Sequence, residues 1–248
     1  MKLLWQANGS KISLPIIACG IFIAGLVSGC AQTVESKPAV VQQVESGQSP
    51  GIGFLGSDAS LLRPGKEGQA AMVYLNPNAQ WSKYKGILLE PVQFWDSGSS
   101  SVSPADQQML TTYYYNTLKE NLEKKKVRMF DQSGPGVVTI QVALINATAS
   151  TPGLRSVSVI VPQARILTGI ASLATGSYAF VGSAETAMKA TDSATGELLA
   201  AAIDKREGGM ALSSAAQWQW GDAQNAMNFW AERVAQRITE LKTGGTIK

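Results

Sequence analysis

Residues 178–206, YAFVGSAETAMKATDSATGELLAAAIDKR, contain the hairpin signal from which the fold class of this chain is predicted. Two segments with recurring apolar residues, 178–192 and 197–206, flank the short stretch Ser193-Ala194-Thr195-Gly196. A glycine-containing turn between two such segments indicates a β-hairpin. We therefore expect the sheet of this protein to be antiparallel at least in part.

A long strand and two helices are predicted on either side of this hairpin in the sequence. Residues 137–147 alternate apolar and polar side chains, which predicts a long strand. Ser103 is a favourable N-cap, and apolar residues at helical spacing extend a helix from there to about Lys125. A last helix, with Asp222 as its expected cap, carries one apolar stripe made of Met227, Trp230, Val234, Ile238 and Leu241.

Shorter strands are predicted ahead of the first long helix. Residues 71–75 and 87–95 are rich in residues that favour strands, and Pro91 places the second of them at an edge or a bulge. Strands thus come before, between and after helices. This order predicts an α+β domain with a mixed, largely antiparallel sheet and helices packed on one face, in two layers.

The first thirty residues have the layout of a secretory leader. Lys2 and Lys11 precede the uncharged apolar run from Ile12 to Val27, which is followed by Ser28, Gly29 and Cys30. A spanning helix needs about 20 apolar residues, so this run is short for one. Val27-Ser28-Gly29-Cys30 resembles the bacterial lipobox. A plain membrane anchor, or an ordinary signal sequence with a chance cysteine, is the alternative.

The lipobox resemblance implies a signal peptide over residues 1–29 and lipid on the Cys30 thiol. Ala31 occupies the position where an aspartate would favour retention in the inner membrane, so the resemblance implies the outer membrane and a periplasmic domain. Residues 30–50 are rich in Gln, Ser, Val and Pro and predict a flexible tether. A single α+β domain is expected over residues 51–248.

Composition restricts the possible chemistry. The 248 residues include no histidine, which excludes Ser-His-Asp and Cys-His nucleophile systems and metal sites with histidine ligands. The leader holds two of the 21 basic residues and none of the 18 acidic ones, so the remaining chain is close to neutral. A nucleic-acid partner is therefore not expected. No metal site is predicted.

A glycine pattern at residues 51–56, GIGFLG, fits the dinucleotide fingerprint G-x-G-x-x-G. That fingerprint requires a preceding strand and a following helix. Here the predicted tether precedes it and a turn-rich stretch follows, so no cofactor is predicted. We expect the segment to dock on the domain through the apolar side chains of Phe54, Leu55, Leu61 and Leu62.

The most polar cluster follows the second hairpin strand. Asp204-Lys205-Arg206-Glu207 precedes a glycine pair, and two tryptophans come soon after. The candidate binding surface therefore comprises Asp204, Arg206, Glu207, Trp218 and Trp220. A solvated hairpin end with local ion pairs is the alternative.

Several short motifs together resemble one known family. They are Gly53-Phe54-Leu55-Gly56, Val73-Tyr74-x-Asn76-Pro77, Val161-Pro162-x-Ala164-Arg165, Phe180-Val181-Gly182, Asp192-x-x-Thr195-Gly196-Glu197 and Trp220-Gly221-Asp222. Over roughly residues 51–241 the chain resembles domain of unknown function 3313, a family of uncharacterised proteobacterial lipoproteins. The family has no assigned activity, so the resemblance implies no catalytic residue.

Two functions fit these observations. The first is a non-enzymatic binding, adaptor or assembly protein of the envelope, held to the membrane by its lipid and partnered by an envelope protein or peptidoglycan. The second is a histidine-free hydrolase or lyase of cell-wall glycan. It would use a carboxylate pair such as Asp204 and Glu207, which must share one cleft.

Overall fold

The computed structural model describes residues 33–95, 102–148, 182–208 and 220–244. Within these residues the chain forms one eight-stranded sheet and four α-helices. The strands are β1 (Thr33–Glu35), β2 (Arg63–Pro64), β3 (Met72–Leu75), β4 (Gly86–Leu89), β5 (Gln93–Phe94), β6 (Val137–Thr148), β7 (Ser183–Asp192) and β8 (Leu198–Gly208). The helices are α1 (Lys37–Glu45), α2 (Gly51–Leu55), α3 (Pro104–Lys124) and α4 (Gly221–Lys242).

The predicted hairpin lies at the centre of the sheet. The strand order is β2-β3-β8-β7-β6-β4, with β1 also paired to β8 and β5 also paired to β6. Strands β4 and β5 run parallel to β6, and the remaining pairs are antiparallel. This confirms an α+β fold with a mixed, largely antiparallel sheet.

Helices α3 and α4 pack together on one face of the sheet. The predicted start of α3 is confirmed, because the Ser103 hydroxyl accepts a hydrogen bond from the Asp106 N–H at 3.2 Å. The alternating residues of β6 supply the sheet side of this core. Its central side chains are fully buried or nearly so: Leu110, Tyr114, Leu118, Leu122, Val138, Ile140, Val142, Leu144, Met227 and Trp230. Tyr114 is thus a core residue, as expected for an apolar stripe on a helix.

The opposite face of the sheet is covered by the N-terminal segment. The predicted tether over residues 30–50 is wrong for residues 37–45, which form α1 with Val40 fully buried. Leu55 and Leu62 dock beside it, as expected, whereas Leu61 is exposed. Their partners on the sheet are Ala143, Ile145, Ala187, Ala201 and Ile203. Apolar side chains on both faces of the hairpin strands provide the burial that holds this short helix in place.

The predicted strand over residues 87–95 is divided in two. Pro91 has no N–H to donate to a neighbouring strand, and β4 ends before it while β5 begins after it. Both pieces pair in parallel with β6, so the segment follows β6 despite the interruption.

The leader and Cys30 lie outside the described residues. None of the helices described here is long and apolar enough to cross a membrane.

The hairpin turn is organised by Asp192. Its carboxylate accepts hydrogen bonds from the N–H groups of Ala194 and Thr195 at 2.9 and 3.2 Å and from the Tyr84 hydroxyl at 2.9 Å. The Lys83 ammonium lies 3.3 Å away. Burial by itself would raise the pKa of Asp192, but these hydrogen bonds outweigh it and lower the pKa to about 2.

We expect Asp192→Asn to lower the free energy of unfolding by about 1–3 kcal/mol at pH 7, because three donors lose a charged acceptor. The depressed pKa of Asp192 means that its ionised form stabilises the fold above the unfolded value of 3.8 and that this contribution is lost as the pH falls through about 2. Urea unfolding of both proteins from pH 7 to pH 2 should show the difference shrink over this range. Asp131→Asn, at an exposed position, is the control.

Candidate functional site

A groove of about 380 Å³ lies between α4 and the sheet. Its walls come from α4 and from the β2–β3 segment, and its floor comes from β3, β8, β7 and β6. This is the face of the sheet on which α3 and α4 pack. The groove therefore continues the main core outward along the C-terminal half of α4.

Small side chains of β7 and β8 form part of the floor of the groove, beside the larger Val138, Ile140 and Met188. Ala190 pairs with Ala200 across the β7–β8 ladder, and Met188 pairs with Ala202. The next pair is Thr191 with Leu198, so Leu199 is the extra residue of a β-bulge. Because alanine side chains extend only one carbon from the backbone, they leave open the space that larger residues would fill.

The wall of the groove is the predicted apolar stripe of α4. Trp230 is buried, whereas Val234, Ile238 and Leu241 are half-buried and line the groove. Spacings of three and four residues place all four side chains on one side of the helix. The N-terminal part of this stripe is closed off from solvent, and its C-terminal part is open to the groove.

The rim of the groove carries basic residues of α4. Arg233 and Arg237 both donate hydrogen bonds to the Gly68 carbonyl in the β2–β3 loop, with a distance of 3.3 Å for Arg237 Nη2. Arg237 also pairs with Glu240 at 2.8 Å. Lys242 lies at the C-terminal end of the same wall. The arginines thus hold the loop against α4 while their charge remains at the mouth of the groove.

Asp204 lies at the inner end of the groove and is only 4% exposed. Its Oδ2 accepts a hydrogen bond from Trp230 Nε1 at 2.7 Å, and its Oδ1 accepts one from the Ala71 N–H at 3.0 Å. The ring of Trp230 lies 6.0 Å from that of Tyr114. Burial raises the pKa of the Tyr114 hydroxyl, which lies 3.4 Å from the Thr186 hydroxyl. These contacts assign Asp204 a role in fixing α4 to the sheet.

Arg206 also lines the groove, two residues further along β8, and is 9% exposed. Its guanidinium carbon lies 3.6 Å from the centre of the Phe229 ring, a close cation–π contact. Arg233 approaches the same ring at 6.0 Å. Two positive charges therefore flank one aromatic ring beside the groove.

Glu207 lies on the other face of the sheet and is 3% exposed. Its carboxylate is 3.5 Å from the ammonium of Lys205, which shares that face. Asp204 contacts α4, so the carboxylates of Asp204 and Glu207 lie on opposite sides of one strand. The three charged residues of the predicted binding surface are therefore divided by the strand: Asp204 and Arg206 line the groove, and Glu207 lies on the opposite face. All three are buried, so they do not form a solvated hairpin end.

The remaining predicted site residues occupy different places. Trp220 is buried just before α4, and its Nε1 donates to the Asp106 carboxylate at 3.2 Å. Asp222 does not cap the helix but accepts a hydrogen bond from the Gly182 N–H at 2.9 Å. Trp218 lies outside the described residues. Among the predicted site residues that the structure describes, only Asp204 and Arg206 line the groove.

No group of acidic side chains that could hold a metal ion occurs in the described parts of the chain. The sequence pattern alone does not predict the groove. Two signals pointed toward it: the run Ala200-Ala201-Ala202 in a central strand, and the basic residues Arg233 and Arg237 beside the α4 stripe. Neither signal shows by itself that the alanines and the stripe face each other.

Comparisons with known proteins give a family match and distant similarities to solved structures. No curated protein matches the sequence. Two solved structures of PelC from Paraburkholderia phytofirmans, both described as dodecamers and one of them a variant, are similar at 11% and 10% identity with TM-scores of 0.37 and 0.35. Each alignment covers 67% of the present chain and 94% of the PelC chain. At these TM-scores the similarity supports no argument about fold or function.

The family resemblance predicted from the short motifs is confirmed. A family model described as "Protein of unknown function (DUF3313)" matches residues 52–234, which include the groove residues of the sheet and most of α4. The match covers well over half of the sequence. The chain therefore belongs to the DUF3313 family of proteins of unknown function.

Proposed function

We propose that this chain is a lipid-anchored, non-enzymatic binding protein of the cell envelope. The lipobox-like residues Val27–Cys30 support acylation of the Cys30 thiol, and Ala31 supports the outer membrane as the site of the anchor. Each buried CH₂ of an acyl chain contributes roughly 0.8 kcal/mol, so two or more chains give a stable anchor. The domain would then face the periplasm and act as an adaptor or assembly accessory protein.

The groove between α4 and the sheet is the observation that carries the binding role. It is concave, largely apolar and edged by a few charged side chains, which is typical of ligand sites. Its volume of about 380 Å³ lies within the range of roughly 300–1,000 Å³ that such sites occupy. The partner proposed from the sequence, an envelope protein or peptidoglycan, would have to present an apolar portion to enter it.

The alternative role as a glycan hydrolase or lyase has less support. Its carboxylate pair must flank one bond in a shared cleft, at a separation of about 5–10 Å. Asp204 and Glu207 face opposite sides of β8, which argues against their acting as that pair. The complete absence of histidine argues in the same direction, since histidine is the most frequent general acid and base.

The anchor is tested by metabolic labelling of the full chain with an alkyne analogue of palmitate. We expect the label on the wild type and on Cys19→Ser but none on Cys30→Ser, because only Cys30 occupies the lipobox position. The two cysteines thus provide a matched pair. Label that persists in the Cys30→Ser protein would contradict acylation at this position.

The binding role is tested by photocrosslinking in living cells. A photoreactive amino acid at Val234, inside the groove, should form a discrete adduct with an envelope component, while the same amino acid at the exposed Lys119 of α3 should not. Mass spectrometry of the adducts identifies their chemistry. Equal adduct formation from both positions, or none from Val234, would contradict a binding role for the groove.

A further inference from the structure

We propose that the groove binds a single-chain amphiphile with an anionic head group, its alkyl chain along the floor and its head at the arginines of the rim. This inference rests on the proposed binding role and adds the chemical class of the ligand. Three features of the described residues carry it: the elongated apolar wall, the alanine floor and the excess of positive charge.

The shape of the groove suits a chain rather than a compact ring. The apolar wall runs along α4 from Trp230 to Leu241, eleven residues apart, which corresponds to about 16 Å at 1.5 Å per residue. The side chains between these ends, Val234 and Ile238, are aliphatic and follow one line on the helix. An alkyl chain laid parallel to the helix axis would contact each of them in turn.

The alanine part of the floor offers no polar side chain that would penalise an alkyl chain. Two polar residues of β7 also line the groove: Thr186, which pairs with Asp204 at the inner end, and Lys189. Ala190, Ala200 and Ala202 lie beneath the wall, half-buried, and their backbone groups are engaged in the β7–β8 ladder. Burial of apolar surface lowers the free energy of binding without requiring a specific orientation, so the groove would accept alkyl chains that differ in length or branching. The small floor side chains set the depth available to the ligand.

The charges at the groove favour an anion. Asp204 is its one acidic lining residue among those described, whereas five basic residues line it: Lys189, Arg206, Arg233, Arg237 and Lys242. Glu240, which pairs with Arg237, offsets one of these charges and leaves an excess of positive charge. The Asp204 carboxylate already accepts hydrogen bonds from Trp230 and Ala71. A guanidinium carries five N–H donors in a planar fork that matches carboxylates and phosphates. The bond from Arg233 to Gly68 engages one of its nitrogens, Nη2.

The test uses membranes that contain the full chain and a photoactivatable long-chain alkyl carboxylate. Mass spectrometry should place the label on α4 and β8. Hexadecanoate and hexadecyl phosphate should compete with the label at least tenfold better than hexadecanol, a ratio that corresponds to about 1.4 kcal/mol. Equal competition by the alcohol would overturn the role of the anionic head, and label spread evenly over the chain would overturn the site.

Two sets of variants test separately where the alkyl chain and the anionic head group bind. Ala202→Phe, and independently Val234→Phe, should reduce labelling at least tenfold by filling the groove from floor and wall. Arg233→Gln with Arg237→Gln should weaken competition by hexadecanoate about tenfold and leave that by hexadecanol unchanged. As a control, Lys119→Gln with Lys125→Gln removes the same amount of charge from exposed positions on α3 and just after it. This double variant should change competition by neither hexadecanoate nor hexadecanol. Thermal unfolding of each variant shows that it has folded.

The two experiments distinguish a failure of the proposed ligand class from a failure of the proposed binding role. If Val234 crosslinks to an envelope protein in cells while no amphiphile labels the groove, the binding role stands and the ligand class proposed here is wrong. If labelling occurs but none of the groove variants alters it, the amphiphile binds elsewhere and the inference is likewise overturned.

Discussion

Replacing Trp230 with alanine is expected to lower the free energy of unfolding by about 3–5 kcal/mol, the range for large aromatic side chains in a core. Trp230 is 3% exposed and joins three parts of the fold. Its ring contacts that of Tyr114 on α3, and its Nε1 bonds to the Asp204 carboxylate on β8. Truncation opens a cavity between α4 and the sheet and removes a donor from a buried carboxylate. Urea unfolding at pH 7 measures the loss.

Two further variants separate these contributions. Trp230→Phe keeps an aromatic ring in the core but removes the N–H, so it should cost about 1–3 kcal/mol, the range for a buried acceptor that loses its donor. Trp81→Ala removes the same residue type from a half-buried position at the edge of the groove and should cost less than Trp230→Ala. A loss no greater for Trp230 than for Trp81 would contradict the central place of Trp230.

Replacing Gly86 with alanine is expected to cost at least about 3 kcal/mol, at the upper end for overpacking, because backbone must move to admit the methyl group. Gly86 begins β4 beside the 128–130 segment. A Cβ there would overlap the Arg128 carbonyl oxygen and lie 2.7 Å from Phe130 Cε2. That carbonyl also accepts the Ile87 N–H at 2.9 Å, so its displacement breaks a second interaction.

Gly134→Ala is the matched control for Gly86→Ala. A Cβ built at Gly134 has no other atom within 4 Å. The backbone of Gly134 is also not in the left-handed conformation that favours glycine. We expect this variant to be neutral or to stabilise the protein by about 0.4–1 kcal/mol, because alanine restricts the unfolded chain. Thermal and urea unfolding of both variants provide the comparison. Similar stabilities for the two would contradict the close packing of β4 against the 128–130 segment.

The elements that sequence reasoning placed well are those whose signals are local. The β7–β8 turn depends on a few adjacent residues, among them Gly196 with φ +76° and Asp192 with its bonds to the turn. The start of α3 depends on Ser103 and the residues just after it. The alternation in β6 is likewise read within one segment. Each of these signals lies within about a dozen residues of chain.

The candidate site was harder to predict because its residues act across the sheet. Asp204, Arg206 and Glu207 are charged, and charged side chains are mostly exposed in folded proteins. Here β8 is paired on both sides, with β7 on one and with β1 and β3 on the other. Their burial therefore depends on partners far along the chain: Trp230, Ala71 and Phe229 on one face and the N-terminal segment on the other.

The N-terminal segment illustrates the same limit. Residues 37–45, KPAVVQQVE, contain three valines that pack on the sheet, Val40, Val41 and Val44, and the rest of the segment is mostly polar. By composition the segment resembles a linker. Helix formation in so short a segment requires tertiary contacts. Those contacts come from Ala201 and Ile203 of β8 in the same buried cluster as Val40, more than 150 residues later.

Local signals in the amino-acid sequence were enough to predict the hairpin, the long strand β6, the two long helices, the α+β class and the family, because periodicity, caps and turn residues are local properties of the chain. The placement of Asp204 and Glu207 on opposite faces of one strand became apparent only in the folded protein. The same is true of the alanines of β7 and β8, which lie opposite the outer half of α4. Strand pairing and helix docking join residues distant in sequence, and the groove exists only where those pairings bring small and aliphatic side chains face to face.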